Sequence, residues 1–343
     1  MANLRLPAEW EIQSGVMIAW PHQNTDWLPV LGQAEAVFTE IIKAVSSNEK
    51  VLLIVPEIST VKSKLRTAKA NLKNILFYKV ETNDTWTRDF GPITVLYNGR
   101  PLLLDFTFNA WGLKFAADLD NQVNSSLEES AAFRDFPMET LNFVLEGGSI
   151  ESDGQGTILT TSECLLSPNR NQQYSIEKIE KKLKKYLGAK RILWLNYGFL
   201  AGDDTDSHVD TLARLCPDDT ITYVSCSDRR DEHFSELKKM ALELSNFRTI
   251  NGLPYRLLPL PMPKAIYDES ANRLPATYAN YLVINRAVLM PVYEDPANDS
   301  AAKAVLAKAY PNREIIPIDC RTLILQHGSL HCVTMQLPAG VLR

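Results

Sequence analysis

Apolar residues fall in short runs along this chain, rich in β-branched side chains and bounded by Gly, Pro, Asn or Asp. Gly15–Trp20, Val51–Val55, Ile75–Val80, Ile93–Leu96 and Leu102–Phe106 open the series. Asn142–Leu145, Thr157–Thr161, Ile192–Leu195, Thr220–Val224 and Tyr255–Leu260 continue it. Tyr281–Ile284, Ala287–Val292, Ile315–Ile318 and Cys332–Gln336 complete it. Runs of this kind predict strands. Between them the apolar period lengthens to that of a helix. Ala34–Ser46 aligns Val37, Phe38, Ile41, Ile42 and Val45 on one face. Ser175–Leu187 aligns Ile176, Ile179, Leu183 and Leu187, and Gly188 follows as a C-cap. Asp231–Leu244 and Asn298–Tyr310 show the same spacing.

Helices thus alternate with groups of two or three strands. Tyr97-Asn98-Gly99-Arg100 is a tight hairpin turn. A wholly parallel sheet needs no hairpins, so the sheets are expected to be mixed. No Gly/Ser or Pro-rich linker and no low-complexity segment interrupts the 343 residues. The pattern predicts a mixed α/β repeat around a centre, within a single domain over 1–343. The repetition lies in the order of elements, since no internal sequence repeat aligns.

Composition narrows the function. Hydrophobic residues make up 45% and charged residues 22%, a globular balance. The net charge of −5 argues against nucleic acid as a partner and favours cationic or neutral ligands. Lys181, Lys182, Lys184 and Lys185 lie off the apolar stripe of their helix and read as a solvated face. The five cysteines are odd in number and form no CxxC pair, which argues against disulfide and structural zinc frameworks. Met1–Trp10 has no apolar leader core, and the apolar runs are too short to span a bilayer. A cytoplasmic protein without a membrane partner is expected.

Four segments crowd polar residues and glycine next to strands. Asn83-Asp84-Thr85-Trp86-Thr87-Arg88-Asp89-Phe90-Gly91-Pro92 holds an aromatic, an arginine and two acids, or else a surface turn with an Arg–Asp pair. Leu145-Glu146-Gly147-Gly148-Ser149 lets a ligand approach the backbone closely, although a plain turn would read the same way. Gly202-Asp203-Asp204-Thr205-Asp206-Ser207-His208-Val209-Asp210 would, on a strand, turn His208 and Asp210 to one face. Its acids would suit a hard cation. No second histidine is near and the EF-hand spacing is absent, so no metal is expected. Gln326-His327-Gly328-Ser329-Leu330-His331-Cys332 places a cysteine after a small-residue turn. Cys332 is either an inert core residue or a partly exposed, activated thiol that works with a distant histidine.

One chemistry uses all four segments. A guanidinium is planar and offers five N–H donors that match carboxylates bidentately. An aromatic ring can stack on its face. A thiolate can attack its central carbon.

The combination Trp86-Thr-Arg88-Asp89, Glu146-Gly147-Gly148, His208-Val-Asp210 and His331-Cys332 resembles the agmatine deiminase and bacterial peptidylarginine deiminase family, part of the guanidino-modifying or pentein superfamily. Pro7-Ala8-Glu9-Trp10, Ala19-Trp20-Pro21 and Phe108-Asn109-Ala110-Trp111-Gly112 look like that family too, so the resemblance runs over residues 7–338. It implies a five-bladed α/β propeller of ββαβ-type repeats, with the site in a central channel and with no cofactor and no metal. The family reaction hydrolyses a guanidino group to a ureido group and ammonia. The match assigns Cys332 as nucleophile, Asp89 and Asp210 as the guanidinium clamp, His208 as the proton carrier and Glu146 as its holder. Trp86 and Trp111 would wall the channel, and Asp204 and Asp206 would draw a cationic tail. The sequence departs from the family where His327-Gly328-Ser329 replaces a run of glycines, and where Ser207 replaces a glycine.

Agmatine is the expected small-molecule substrate. A carboxylate-bearing arginine would need a cationic partner, and the acids at 203–206 suit an amine instead. Peptidyl- or free-arginine deimination is the nearest alternative, and a non-catalytic binding protein of the same fold is the alternative of another class. The oligomeric state is left open.

Overall fold

Each predicted amphipathic stretch forms a helix and buries the face that its spacing marks. Leu31–Asn48 buries Ala34, Phe38, Ile41, Ile42 and Val45. Fully burying such a side chain contributes about 1.5–3 kcal/mol, so this one face outweighs the low propensity of its β-branched positions. Ile176–Leu187 buries Ile179, Leu183 and Leu187 and ends at Gly188, whose φ is 67°. Ile176 does not join that face; it is 38% exposed. Phe234–Asn246 and Pro296–Ala309 complete the predicted set. The sequence pattern missed Ile58–Thr67, because only Val61 and Leu65 of this polar helix are buried.

The computed structural model describes residues 4–343 as a mixed α/β fold with five sheets. All five sheets share a three-strand order, and the first and fifth each carry a fourth strand, in the first Leu4–Arg5 antiparallel to Ile93–Tyr97. In the first, Ile93–Tyr97 and Arg100–Thr107 pair antiparallel, and Met138–Val144 then adds parallel to the second strand. Their hairpin turns at Asn98 and Gly99, both with positive φ, which matches the twist of the strands. Ile150–Ser152, Thr157–Thr161 and Arg191–Leu195 repeat the order. So do Ala213–Cys216, Thr220–Ser225 and Arg256–Pro261. Leu282–Ile284, Ala287–Val292 and Glu314–Asp319 form the fourth set. In each, a helix bridges the second strand to the third, as a parallel pair requires.

The fifth sheet joins the two ends of the chain. Met335–Pro338 pairs antiparallel with Gln13–Ala19, which is followed in parallel by Lys50–Val55 and Ile75–Lys79. Val51–Val55 is buried throughout, as expected of a strand covered on both faces. This closure brings residues near 332 beside residues near 17 and 88. Thr87 Oγ1 donates to the Met17 carbonyl at 3.1 Å, and the Arg88 N–H donates to the Cys332 carbonyl at 3.2 Å.

Two expectations fail locally. The strand expected at Cys332–Gln336 begins only at Met335, and residues 332–334 form a turn. His208 and Asp210 do not lie on a strand. Val209–Thr211 is a 3-10 turn with His208 at its N-cap, because Thr211 Oγ1 and N–H both bond back to the His208 carbonyl. Among the described residues no helix is long and apolar enough to cross a membrane.

Candidate active site

Asp89 stands on a single helical turn, Thr87–Phe90. The loop before it is braced from both sides. Asn83 Oδ1 accepts from the N–H groups of Leu119 and Asp120, and Asp120 Oδ1 accepts from the Asn83 N–H. Arg88 and Asp89 then turn opposite ways. Arg88 reaches Gln336 and the His331 carbonyl, while Asp89 faces a cleft. Asp89 Oδ2 accepts from Trp111 Nε1 at 2.9 Å, and Oδ1 accepts from the Gly148 N–H at 2.9 Å. Trp111 is presented by four consecutive residues, Ala110 to Leu113, with φ between 50° and 87°. Strain of this kind is stored where a side chain must be aimed.

His208 and Asp210 arrive from the third sheet's leading turn. Thr161 Oγ1 donates to the Ser207 carbonyl, and the His208 N–H donates to Thr205 Oγ1. His208 Nδ1 lies 3.7 Å from Asp89 Oδ1. Asp210 Oδ2 is 2.7 Å from His331 Nδ1, while its Oδ1 and the His208 Nε2 are buried with no hydrogen-bond partner. Three groups converge on Gly148. A Cβ there would stand 2.6 Å from His208 Nδ1, 2.9 Å from Asp89 Oδ1 and 3.1 Å from Asp210 Oδ2. Only a residue without a side chain fits between them.

Cys332 is carried on the loop after a short 3-10 helix, Leu323–Gln326. Asn280 Oδ1 accepts from the His331 N–H at 2.9 Å and lies 3.4 Å from both Cys332 N and Sγ. His327 Nδ1 lies 2.7 Å from the Gly202 carbonyl. Gly328 packs flat on Trp86, where a Cβ would meet the indole at 2.2 Å. The cleft above has a volume of about 830 Å³, and its walls include Trp86, Asp89, Trp111, Asp204, His327 and Cys332.

The electrostatics divide the site. Burial raises the Asp89 pKa, and the neighbouring charge of Asp210 adds to this against the pull of His208. Burial also works on Asp210, but the hydrogen bond and charge of His331 reverse it and hold that carboxyl below its usual range. Burial lowers the His208 pKa, and the charge of Asp89, together with Cys164 and the charge of Glu146, more than reverses it, so its net direction is upward. Burial, with the charges of Asp210 and Asp89, pushes the Cys332 thiol well up. The free site therefore holds a buried, protonated thiol rather than the partly exposed, activated one entertained from the sequence.

The remaining predicted residues divide as well. Glu146 lies close to His208, with ligand atoms of Glu146, Cys164 and His208 all within 4.8 Å of one another. Its carboxylate, however, accepts from Arg170 Nε at 2.9 and 3.0 Å and is turned to that guanidinium rather than to the imidazole. Asp204 lines the cleft, with a pKa raised to about 6 by burial and by Asp203. Asp206 does not line it. Its carboxylate bonds Arg170 and Lys114, so it latches two loops together, and its sequence assignment to substrate is corrected. Asp206 and Ser207 both have positive φ, near 63° and 62°, which explains why a glycine suits position 207.

Two clusters have the donor set for a metal: Glu146–Cys164–His208 and Glu9–Glu151–His331. In each, a guanidinium already bonds the carboxylates, Arg170 in the first and Arg214 in the second. Sequence reasoning left Arg170, Arg214, Asn280 and Cys164 unassigned. Nothing in their local sequence marks them, because their partners are distant in the chain.

Residues 5–338 match the Porphyromonas-type peptidyl-arginine deiminase family. The chain belongs to this family. A relative from Shewanella sp. is 32% identical over 98% of this chain and 94% of its own length. Two solved structures are similar over nearly the whole fold. A Cys→Ser form of C. jejuni agmatine deiminase with substrate bound is 44% identical, with a TM-score of 0.91 over 100% of this chain and 98% of its own. The Enterococcus faecalis agmatine deiminase is 29% identical, with a TM-score of 0.87 over 98% and 96%. A cyanobacterial arginine dihydrolase shares the fold alone, at 12% identity and a TM-score of 0.50 over 96% of this chain and 40% of its own.

Proposed function

We propose that this chain is a guanidino-group hydrolase that converts agmatine to N-carbamoylputrescine and ammonia. One observation carries the reading: Asp89, Asp210 and His208 converge on Gly148, and the Cys332 thiol feels the charge of both carboxylates. Two carboxylates facing one point suit a planar cation with donors on both edges. The names of the C. jejuni and Enterococcus relatives support agmatine as that cation.

The chemistry follows from the charges. A bound guanidinium offsets Asp89 and Asp210, which removes the charges that hold the Cys332 proton. The thiol gives that proton to solvent, and the thiolate attacks the guanidinium carbon, forming an S–C bond. His208, in its protonated form, passes a proton to the departing nitrogen. Ammonia leaves and a thiouronium adduct remains. Neutral His208 then takes a proton from water, and the resulting hydroxide adds to the same carbon. The S–C bond breaks, the ureido product leaves and its extra proton goes to ammonia. Proton transfer of this kind contributes about 10²–10⁴-fold. Clamping by the two aspartates contributes several kcal/mol through orientation. Glu146 acts on His208 through its charge across the short gap between them, favouring the protonated imidazole. Trp86 and Trp111 wall the cleft, and Asp204 meets the distal amine.

Five sheets of one strand order, the last built from both chain ends, support a five-bladed propeller in which residues 1–343 act as one catalytic unit. The cleft volume of about 830 Å³ leaves room for a larger guanidine, which keeps peptidyl-arginine as the second reading. A panel of agmatine, arginine, peptidyl-arginine and methylated arginine, scored for ureido product, separates them. Turnover of none of the panel overturns the reading; dominant citrulline or peptidyl-citrulline replaces agmatine as substrate.

A further inference from the structure

Asp210 is the end of a buried chain of side chains. Its Oδ2 lies 2.7 Å from His331 Nδ1, and the other ring nitrogen, Nε2, lies 2.7 Å from Glu9 Oε2. Glu9 is itself held at both oxygens. Oε1 accepts from the Val283 N–H at 2.7 Å, and Oε2 accepts from Arg214 Nη2 at 2.8 Å. Arg214 Nη2 also stands 3.0 Å from His331 Nε2, and Arg214 Nε donates to Glu151. The side chains of Glu9, Glu151, Arg214, His331 and Asp210 are all at most 8% exposed.

This arrangement does more than neutralise Arg214. Two carboxylates would suffice for that, and Glu151 already contacts it. The imidazole between Glu9 and Asp210 is gripped on both nitrogens, so its plane cannot turn. It occupies only one oxygen of Asp210. The other, Oδ1, is the one left buried and without a partner. Asp89 has no such chain behind it; its two donors are the neutral Trp111 and Gly148 N–H groups. The outer end of the chain reaches a second cavity of about 510 Å³, lined by Glu9, Arg88, Glu151 and His331 among others, which shares no lining residue with the substrate cleft.

We infer that Glu9 and His331 are positioning residues for the deiminase reaction: Glu9 orients His331, and His331 aims the free oxygen of Asp210 at the guanidinium. The inference rests on the function proposed above. Buried charge-assisted pairs of this kind work only as a unit, because removing one member leaves the others uncompensated. The charged groups facing Asp210 are His331, His208, Asp89, Arg88, Arg214 and the Cys332 thiol. Those facing His331 are Asp210, Glu9, Arg214 and Glu151. Neutralising Glu9 weakens the hold on His331, and Asp210 then rises toward the protonated state that burial favours.

The test compares Glu9→Gln and Glu9→Asp with the unaltered enzyme across pH, using the best guanidino substrate of the panel. Asp89 sets the upper step of the acid limb of kcat/KM and Asp210 a lower one. In Glu9→Gln the lower step is expected to move upward by about one pH unit, steepening the limb, with about a tenfold loss at a fixed pH below both steps and a near-recovery at high pH. Glu9→Asp, which keeps the charge, is expected to recover most of the activity at acidic pH. A folded Glu9→Gln enzyme with an unmoved limb overturns the relay, even if its Tm falls. A second arm needs no variant and no turnover. Guanidinium chloride at low millimolar concentration is titrated into the unaltered chain carrying ¹⁵N-labelled histidine. The ring signals of His331 are expected to shift as Asp210 is engaged, and unmoved signals under saturating guanidinium overturn the relay. If the unaltered chain hydrolyses none of the panel, the functional reading fails on its own account and this second arm decides the relay.

Discussion

Asp89 and Asp210 present the same carboxylate to the same point and are supported in opposite ways. Asp89 rests on neutral donors, an indole and a backbone amide, and burial lifts its pKa. Asp210 is backed by His331, which Glu9 grips from behind, and the hydrogen bond and charge of His331, with the charges of His208 and Arg214, hold its pKa down. One half of the clamp is thus held toward its charged form and the other toward its neutral form. Two fully charged carboxylates in an empty buried site would repel each other and hold the thiol proton still more tightly. The unequal pair avoids that cost and still offers two anions to a guanidinium.

The largest test removes what both halves serve. Cys332→Ala is expected to lower turnover by on the order of 10⁴-fold or more while the fold persists, as loss of a covalent nucleophile does elsewhere. Product formed at an undiminished rate would end the covalent reading. Ser replacements of Cys164, Cys216, Cys226 and Cys320 should each leave an active enzyme.

Asp210→Asn and Asp89→Asn separate the halves directly. Each should cost about 2–5 kcal/mol of transition-state binding, read from kcat/KM. Their stabilities should differ in sign. Asp210→Asn removes the anion on the Nδ1 side of His331 and should destabilise by about 3 kcal/mol. Asp89→Asn removes a charge that burial disfavours and should leave Tm unchanged or raised. Equal losses of Tm in the two variants would refute the asymmetry.

Gly148→Ala intrudes on the point where the halves meet. Its Cβ would press first on His208 Nδ1 and Asp89 Oδ1. A displacement near 1 Å should cost about 10²-fold in kcat/KM, with the greater structural change on the Asp89 side. A crystal structure of the variant checks which side moved.

The pH dependence should follow the same division. Asp89 has a raised folded pKa, so its stabilising contribution is present below the ordinary carboxyl range and lost as pH rises through the raised value. Asp210 has a lowered folded pKa, so its contribution is present above the ordinary range and lost as pH falls through the lowered one. Catalysis needs both ionised, so Asp89 should set the acid limb of kcat/KM. Removing that limb with Asp89→Asn, and not with Asp210→Asn, is the expected result.

The smallest effect concerns Asp204, whose pKa lies at about 6. Its charge is lost as pH falls through that value. The preference for agmatine over arginine should shrink several-fold between about pH 7 and pH 5.5, since loss of one charge near a ligand is worth about 1 kcal/mol. Asp206→Asn should leave the preference intact and affect only the loop latch. A competition assay at the two pH values decides it.

Much of this was legible in the sequence. Val37 was expected on the buried face of the first helix and lies only partly buried there, but its neighbours Phe38, Ile41, Ile42 and Val45 are buried as their spacing predicts. The motifs at 86–89, 146–148, 208–210 and 331–332 converge as a guanidinium chemistry requires. The exceptions have local causes. A strand was expected under His208 and Asp210, but threonine hydroxyls at 205 and 211 close a tight turn there instead. Asp204 and Asp206 looked alike, yet one reaches the cleft and the other is taken up by Arg170 and Lys114.

Periodicity, turn residues and motif chemistry are local properties, and the sequence by itself determined those: where most helices and strands run, that the sheets are mixed, and which side chains are candidates for a guanidinium. Charge states are not local. Glu9 and His331 are 322 residues apart in the chain and touch only because the two ends share a sheet. The pKa of a buried carboxyl depends on what lies within a few ångströms and on how much water is excluded. Tertiary structure alone therefore decided which aspartate is held toward its charged form, which one toward its neutral form, and that burial and both charges push the Cys332 thiol up.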